Sequence, residues 1–287
     1  MEKSFVSGKP GTRRVMIDLL IALAPATIAT VVFFGLGALV NIAVCVVASM
    51  LSEFFFNIIA KKPQTATDLS SAVTGLILAI SLPASVTLWQ CLVGSIFAIV
   101  IIKCAFGGLG KNFVNPAVTA KVMLVIAFGI SAGAMPVYVA HTNVIGDTLY
   151  KISIGAIIMA GAIVLGGIYL VIRRALAWQI PVVYVLGVFA LSFAFGGSLE
   201  AALGAILGGG VLLGGVFMLT DPVTAPKNAW GKAIYALLTA LLTVLIMNYG
   251  KYSAHAVVFA ILFMNIITPY IDMIFTKKEK ANEEVAE

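Results

Sequence analysis

Charge is scarce in this chain: only 10% of its 287 residues are Asp, Glu, Lys or Arg, against 61% hydrophobic. So little polar surface cannot cover a water-soluble globule, and a mean hydropathy of +1.10 points to an integral membrane protein. Histidine is rarer still, at two residues, and two imidazoles alone build no metal site. Cys45, Cys91 and Cys104 stand singly without Cys-x-x-Cys spacing, which leaves reduced structural thiols as the default. Missing too are Gly-x-x-x-x-Gly-Lys-Ser/Thr, His-Glu-x-x-His and a Gly-x-Gly-x-x-Gly behind a strand, so nucleotide binding in its usual forms is excluded. The net charge of +6 does not signal nucleic acid, because the basic residues fall between apolar runs.

What is present is hydrocarbon in stretches of about twenty residues. Runs bounded by charge, Gly or Pro predict an all-α polytopic membrane protein of about ten transmembrane helices, at 16–36, 37–59, 68–83, 86–105, 116–138, 152–172, 179–195, 198–219, 229–249 and 254–275. Such lengths argue against an outer-membrane barrel, whose strands are alternating segments of about ten residues. The span at 68–83 is about 24 Å long and closed by Pro83, so some spans are short or broken. The first apolar run exceeds a signal-peptide core and leads into the next, which predicts a retained first helix. The organisation is then an N-terminal segment 1–14, a membrane domain 15–275 and a C-terminal tail 276–287. With the N-terminus cytoplasmic and every span crossing, sixteen of the eighteen Lys and Arg fall inside, leaving only Lys151 and Lys251 outside. Both termini are expected in the cytoplasm.

Three polar breaks echo one another: Asp68-Leu-Ser-Ser-Ala-Val-Thr74-Gly, the glycine-rich Phe106-Gly-Gly-Leu-Gly-Lys-Asn-Phe-Val-Asn115-Pro116-Ala-Val-Thr119-Ala, and Thr220-Asp221-Pro222-Val-Thr224-Ala-Pro226. Each opens a span at the same predicted inner face. Asp68, Asn115 and Asp221 suit N-caps, with Pro116 and Pro222 at the first helical position. Good capping alone accounts for the pattern; the functional reading is that clustered helix starts, Thr224 included, hold an anionic or carbonyl-bearing group. The likeness of 107–120 to 214–226 allows an internal repeat on one side; ten spans also permit two inverted halves of five, of which the sequence gives no proof. Within the spans, Glu53 and Lys121 lie deeper than Asp18, Glu200 and Asp272, and an ion pair between them is expected, as a structural clamp or as part of an ion path. The Gly-Gly pairs allow close helix packing, or room for a flat cofactor between helices.

Together with Arg173-Arg174, Trp178-x-Ile-Pro181 and Ser81-Leu-Pro83, these motifs resemble the D-type member of the Rnf-type ferredoxin:NAD oxidoreductase, and the related B-type member of the sodium-pumping NADH:quinone reductase. The resemblance runs in order over nearly the whole chain. It implies a membrane subunit of an electron-transfer complex that couples redox flow to sodium or proton translocation, with partners that include a flavin-bearing G-type and an NAD-binding C-type subunit. It also implies FMN on a threonine, by a phosphoester, in the loop between the fifth and sixth spans, and allows a second, non-covalent flavin. The family's acceptor pattern is Asp, two residues, Ser or Thr, Gly, Ala, Thr. In the corresponding loop only Gly146 and Thr148 match, with Thr142 at the Asp position, Ile145 at the Ser/Thr position and Asp147 at the Ala position. Thr148 is the candidate acceptor by position and Thr142 the second, with a non-covalent or absent flavin as the alternative. A small-solute channel or transporter, and a redox scaffold, are the other classes the broken spans suit.

Overall fold

A computed structural model describes residues 10–130, 154–208 and 210–286, with side chains as far as Phe275. Among these residues the regular structure is helical and no strand occurs. In chain order the helices are α1 (Pro10–Ile59), α2 (Ser70–Ser81), α3 (Leu88–Ile96), α4 (Pro116–Phe128), α5 (Ile154–Ile172), α6 (Gln179–Gly196), α7 (Leu199–Gly208), α8 (Val211–Leu213), α9 (Ala229–Tyr249) and α10 (Ala256–Ala286). A π-helical segment continues α3 (Phe97–Cys104) and another continues α8 (Gly214–Met218).

Five of the helices are long and apolar enough to cross a membrane, and the bent pair formed by α7 and α8 with its π segment makes up to six. Their outward faces carry large apolar side chains, among them Leu36, Ile59, Ile154 and Ile172. Membrane hydrocarbon or an apolar protein partner removes the cost of that exposure.

The longest helix is two in one. A straight helix of 50 residues would run about 75 Å, more than twice a bilayer core, and would part Met16 from Glu53 by roughly 55 Å. Instead Met16 shares a cavity wall with Ser70 and Lys103, while Glu53 bonds Lys103. The chain folds back at Gly35, whose φ of 69° and ψ of −160° belong to a region open essentially to glycine alone. Both ends of α1 therefore lie at one end of the bundle, called here the basic end because Arg173, Arg174, Lys61 and Lys62 follow helices that finish there.

From α1 onward the segments alternate between two ends. Ser70 at the start of α2, Lys103 after α3, Asn115 before α4, Ala175 before α6 and Thr220 after α8 all border the same basic-end cavity. Gly196 at the close of α6, Asn248 at the close of α9 and Ser253 before α10 meet at the opposite end. Helices α2 and α4 are too short for a full crossing, at about 18 and 20 Å. Eleven of the twelve α2 residues are buried, so its backbone ends are enclosed by protein, the condition under which a broken helix is tolerated at membrane depth. Close approach lets α1 seat both neighbours: a Cβ on Gly75 would strike the Cys45 carbonyl, and one on Gly166 the Ala22 carbonyl.

Candidate functional site

Asn115 is the cap of α4 that its sequence predicts. Its Oδ1 accepts from the N–H groups of Ala117 at 3.0 Å and Val118 at 3.2 Å, and Pro116 fills the first helical position. The other half of the amide reaches across the molecule, with Nδ2 donating to the Met218 carbonyl at 3.3 Å and to Asp221 Oδ2 at 3.4 Å. The Asn115 backbone N–H donates to Asn265 Oδ1 at 3.0 Å, and Asn265 Nδ2 donates to the Tyr235 hydroxyl at 2.8 Å. One buried amide thus ties α4 to the π segment behind α8 and, through Asn265 and Tyr235, to α10 and α9. Asn265 and Tyr235 are fully buried, and neither stands out in the sequence as a site residue. The available signal for Asn265 is a lone amide in the apolar run that α10 carries inward.

Asp221, expected to cap the next span, does not. Its Oδ1 accepts from the Val223 N–H at 3.0 Å and its carbonyl from Thr224 and Ala225, closing a turn, and helix begins only at Ala229. The cap of α9 is Asn228, which accepts from Trp230 at 2.8 Å. The physical reason is Pro226, which has no N–H for a ladder and holds Ala225 out of the α region. Desolvation in this loop pushes the Asp221 carboxyl up to about 6, opposed by the Val223 N–H. Thr224 is buried beside it, its hydroxyl without a partner among the described residues.

Asp68 also departs from the expected role. The residue at the α2 N-cap is Leu69, at φ 67°, and Asp68 instead accepts from the N–H of Ser70 at 2.8 Å and from its hydroxyl. Ser70 in turn belongs to a buried ionic cluster. Lys103 Nζ donates to Glu53 Oε2 at 2.9 Å, Ser70 Oγ at 2.5 Å and Ser71 Oγ at 3.1 Å. Glu53 Oε2 also accepts from Ser71, and Oε1 from Thr65 at 2.7 Å.

The expected Glu53–Lys121 pair is therefore corrected: the partner of Glu53 is Lys103. Its place at the edge of an apolar run assigns Lys103 to the inner aqueous side, whereas the wide π turn carries it inward to 1% exposure. Lys121 lies buried on α4, outside the cavity wall.

The three echoing motifs do meet. Ser70 and Thr74, Asn112 and Asn115, and Thr220 and Asp221 border one cavity of about 80 Å³, room for several waters. Val73, Ile77, Leu109 and Phe217 supply apolar walls. Asn112 Nδ2 donates to the Val114 carbonyl at 3.0 Å, but its Oδ1 is buried with no partner among the described residues. A buried acceptor in that state calls for an N–H, a hydroxyl or a cation. Both π segments end at this cavity, and π turns are frequent at functional sites. Thr142 and Thr148 fall outside the described residues.

Comparison with known proteins gives this arrangement a setting. The chain is 35% identical to the D subunit of the Na(+)-translocating ferredoxin:NAD(+) oxidoreductase complex of Acetobacterium woodii, with 95% of this chain and 92% of that one covered. It is 34% identical to the proton-translocating counterpart of Clostridium ljungdahlii, over 93% and 91%. The D subunit of an ion-translocating oxidoreductase complex of Marinobacter nauticus is 32% identical, over 91% and 89%. Residues 1–281 match the model of the NQR2, RnfD, RnfE family, and the chain belongs to that family.

Proposed function

We propose that this chain is the D-type membrane component of an Rnf-type electron transport complex, coupling electron flow between ferredoxin and NAD to the movement of sodium or protons. The observation that carries this reading is the match to the Acetobacterium woodii protein over 95% of the chain, with no large part of either protein left over. The partners are the remaining membrane and peripheral subunits, among them a flavin-bearing G-type and an NAD-binding C-type subunit. Ten membrane segments, of which α2 and α4 are too short to cross as helix alone, with residues 1–14 and 276–287 in the cytoplasm and 15–275 in the membrane, accord with the alternation of helix direction and with the positive charge gathered at one end. That end then faces the cytoplasm.

Two flavin positions belong to this reading. Thr148, with Thr142 as second choice, carries FMN covalently on the extracytoplasmic side. The basic-end cavity suits a second, non-covalent flavin: apolar walls match a flat ring system, and the unpartnered Asn112 Oδ1 is an acceptor for a ring N–H. A flavin bound there supplies electron transfer near the cytoplasmic face. The chain's own contribution is to grip the ring, keep bulk water away and fix the local field. Glu53 bears on an ion path only through its bond to Lys103, and Lys121 is a separate buried cation on α4.

Deletion of the chain is expected to abolish ferredoxin-dependent NAD reduction and the ion uptake linked to it in native membrane vesicles; vesicles that keep both overturn the assignment. Intact mass of the purified subunit is expected to exceed the polypeptide by one esterified FMN, and Thr148→Ala to remove that mass. An unmodified wild-type subunit refutes the covalent site. Reductant-independent solute flux through the chain in liposomes would favour a channel instead.

A further inference from the structure

The cavity wall carries two charged side chains among the described residues, Lys103 and Asp221. Lys103 has a feature unusual for a lysine: each of its three N–H donors is committed, to Glu53, Ser70 and Ser71 on α1 and α2. The ammonium is thus fully engaged by groups of the protein while its charge remains in the wall. It has no free donor with which to grip a ligand, so its influence on an occupant is through the field alone. Glu53 stands behind it, one layer further from the cavity, with both carboxylate oxygens engaged by Lys103, Ser71 and Thr65. Burying such a pair brings little net stability compared with an apolar substitute of similar volume. Locked charges of fixed orientation are, on the other hand, what stabilises a developing charge at no cost in reorganisation.

We propose that the Lys103–Glu53 pair sets the reduction potential of the redox group held in the basic-end cavity, Lys103 favouring the negative charge gained on reduction and Glu53 moderating it. This rests on the reading that the cavity holds a flavin. The two residues then have opposite effects. Glu53→Gln removes the carboxylate bonded to Lys103, leaves only Asp68, across Ser70, to offset it, and makes reduction easier. Lys103→Met leaves a carboxylate behind the wall and makes reduction harder. The double variant Lys103→Met/Glu53→Gln returns toward the wild type, and Lys103→Arg retains most of the wild-type value.

The test is spectroelectrochemical titration of the full chain in lipid nanodiscs, loaded with FMN or riboflavin as probe, in a Thr148→Ala background that removes covalent flavin. The expected change is about tenfold in the reduction equilibrium in each direction, which is about 59 mV for a one-electron step. Shifts of the same sign in both single variants, or none in either with flavin still bound, make the pair a structural clamp and overturn the proposal. Should Lys103→Met fail to fold, the sign of the Glu53→Gln shift decides alone. A wild-type chain that binds neither probe removes the cavity's occupant, a failure of the functional reading that is distinct from a wrong sign and that takes this proposal with it.

Discussion

Asn115-Pro116 and Asp221-Pro222 look alike in sequence and stand in corresponding places, each behind a π-helical segment that ends at the basic end. They nevertheless do different work. Asn115 starts a helix at once, and its spare N–H groups reach the carbonyl and carboxylate of the other motif. Asp221 is the recipient of that reach, closing a turn while Asn228 starts the helix seven residues later. An amide both donates and accepts, so it can cap a helix and bridge; an ionised carboxylate only accepts. The pairing of one amide with one acid is what allows the two copies to bond each other, where two acids would repel.

Three substitutions probe that division of labour. Asn115→Ala removes a cap and strands buried groups at Met218 and Asp221, so it is expected to cost about 2–4 kcal/mol, read as the largest fall in unfolding temperature in lipid or detergent. Asn228→Ala, at the more exposed cap of α9, is expected to cost about 1 kcal/mol. Should Asp221→Ala weaken the start of α9 more than Asn228→Ala does, as judged by amide exchange at 230–232, the assignment of the cap to Asn228 is wrong.

The last of these effects is one of pH. Asp221 has a carboxyl raised from 3.8 to about 6 in the folded protein, so the native state holds its proton more tightly than the unfolded chain. Stability from that proton is fully present below about pH 4 and is lost as pH rises through about 6. Wild-type unfolding temperature is therefore expected to fall relative to that of Asp221→Asn across this window, and parallel profiles would show that the carboxyl is not desolvated.

Much of the architecture was legible because it is written in long-range composition. Apolar runs of about twenty residues mark helices wherever they occur, and described helix lies within each of the ten runs. The meeting of the three motifs was legible too, since the distribution of Lys and Arg placed all three at one predicted face. What the sequence hid was decided by geometry at single turns. A lysine at the edge of an apolar run reads as solvated, but the π turn at Phe97–Cys104 rotates Lys103 into the protein, where it takes the place expected of Lys121. Two prolines four residues apart delay a helix that one proline would have started. Asn265 gave a weak signal, because an isolated amide in an apolar helix does not announce its partner.

The reversal at Gly35 bears on how the protein is made. Two helices joined through a single residue expose no hydrophilic connection on the side remote from the basic end, so no polar segment has to be carried across the bilayer to place them. The pair is therefore suited to insert together as one unit, and a side chain at that point would strain the reversal by about 1–3 kcal/mol and so loosen the joint on which that depends.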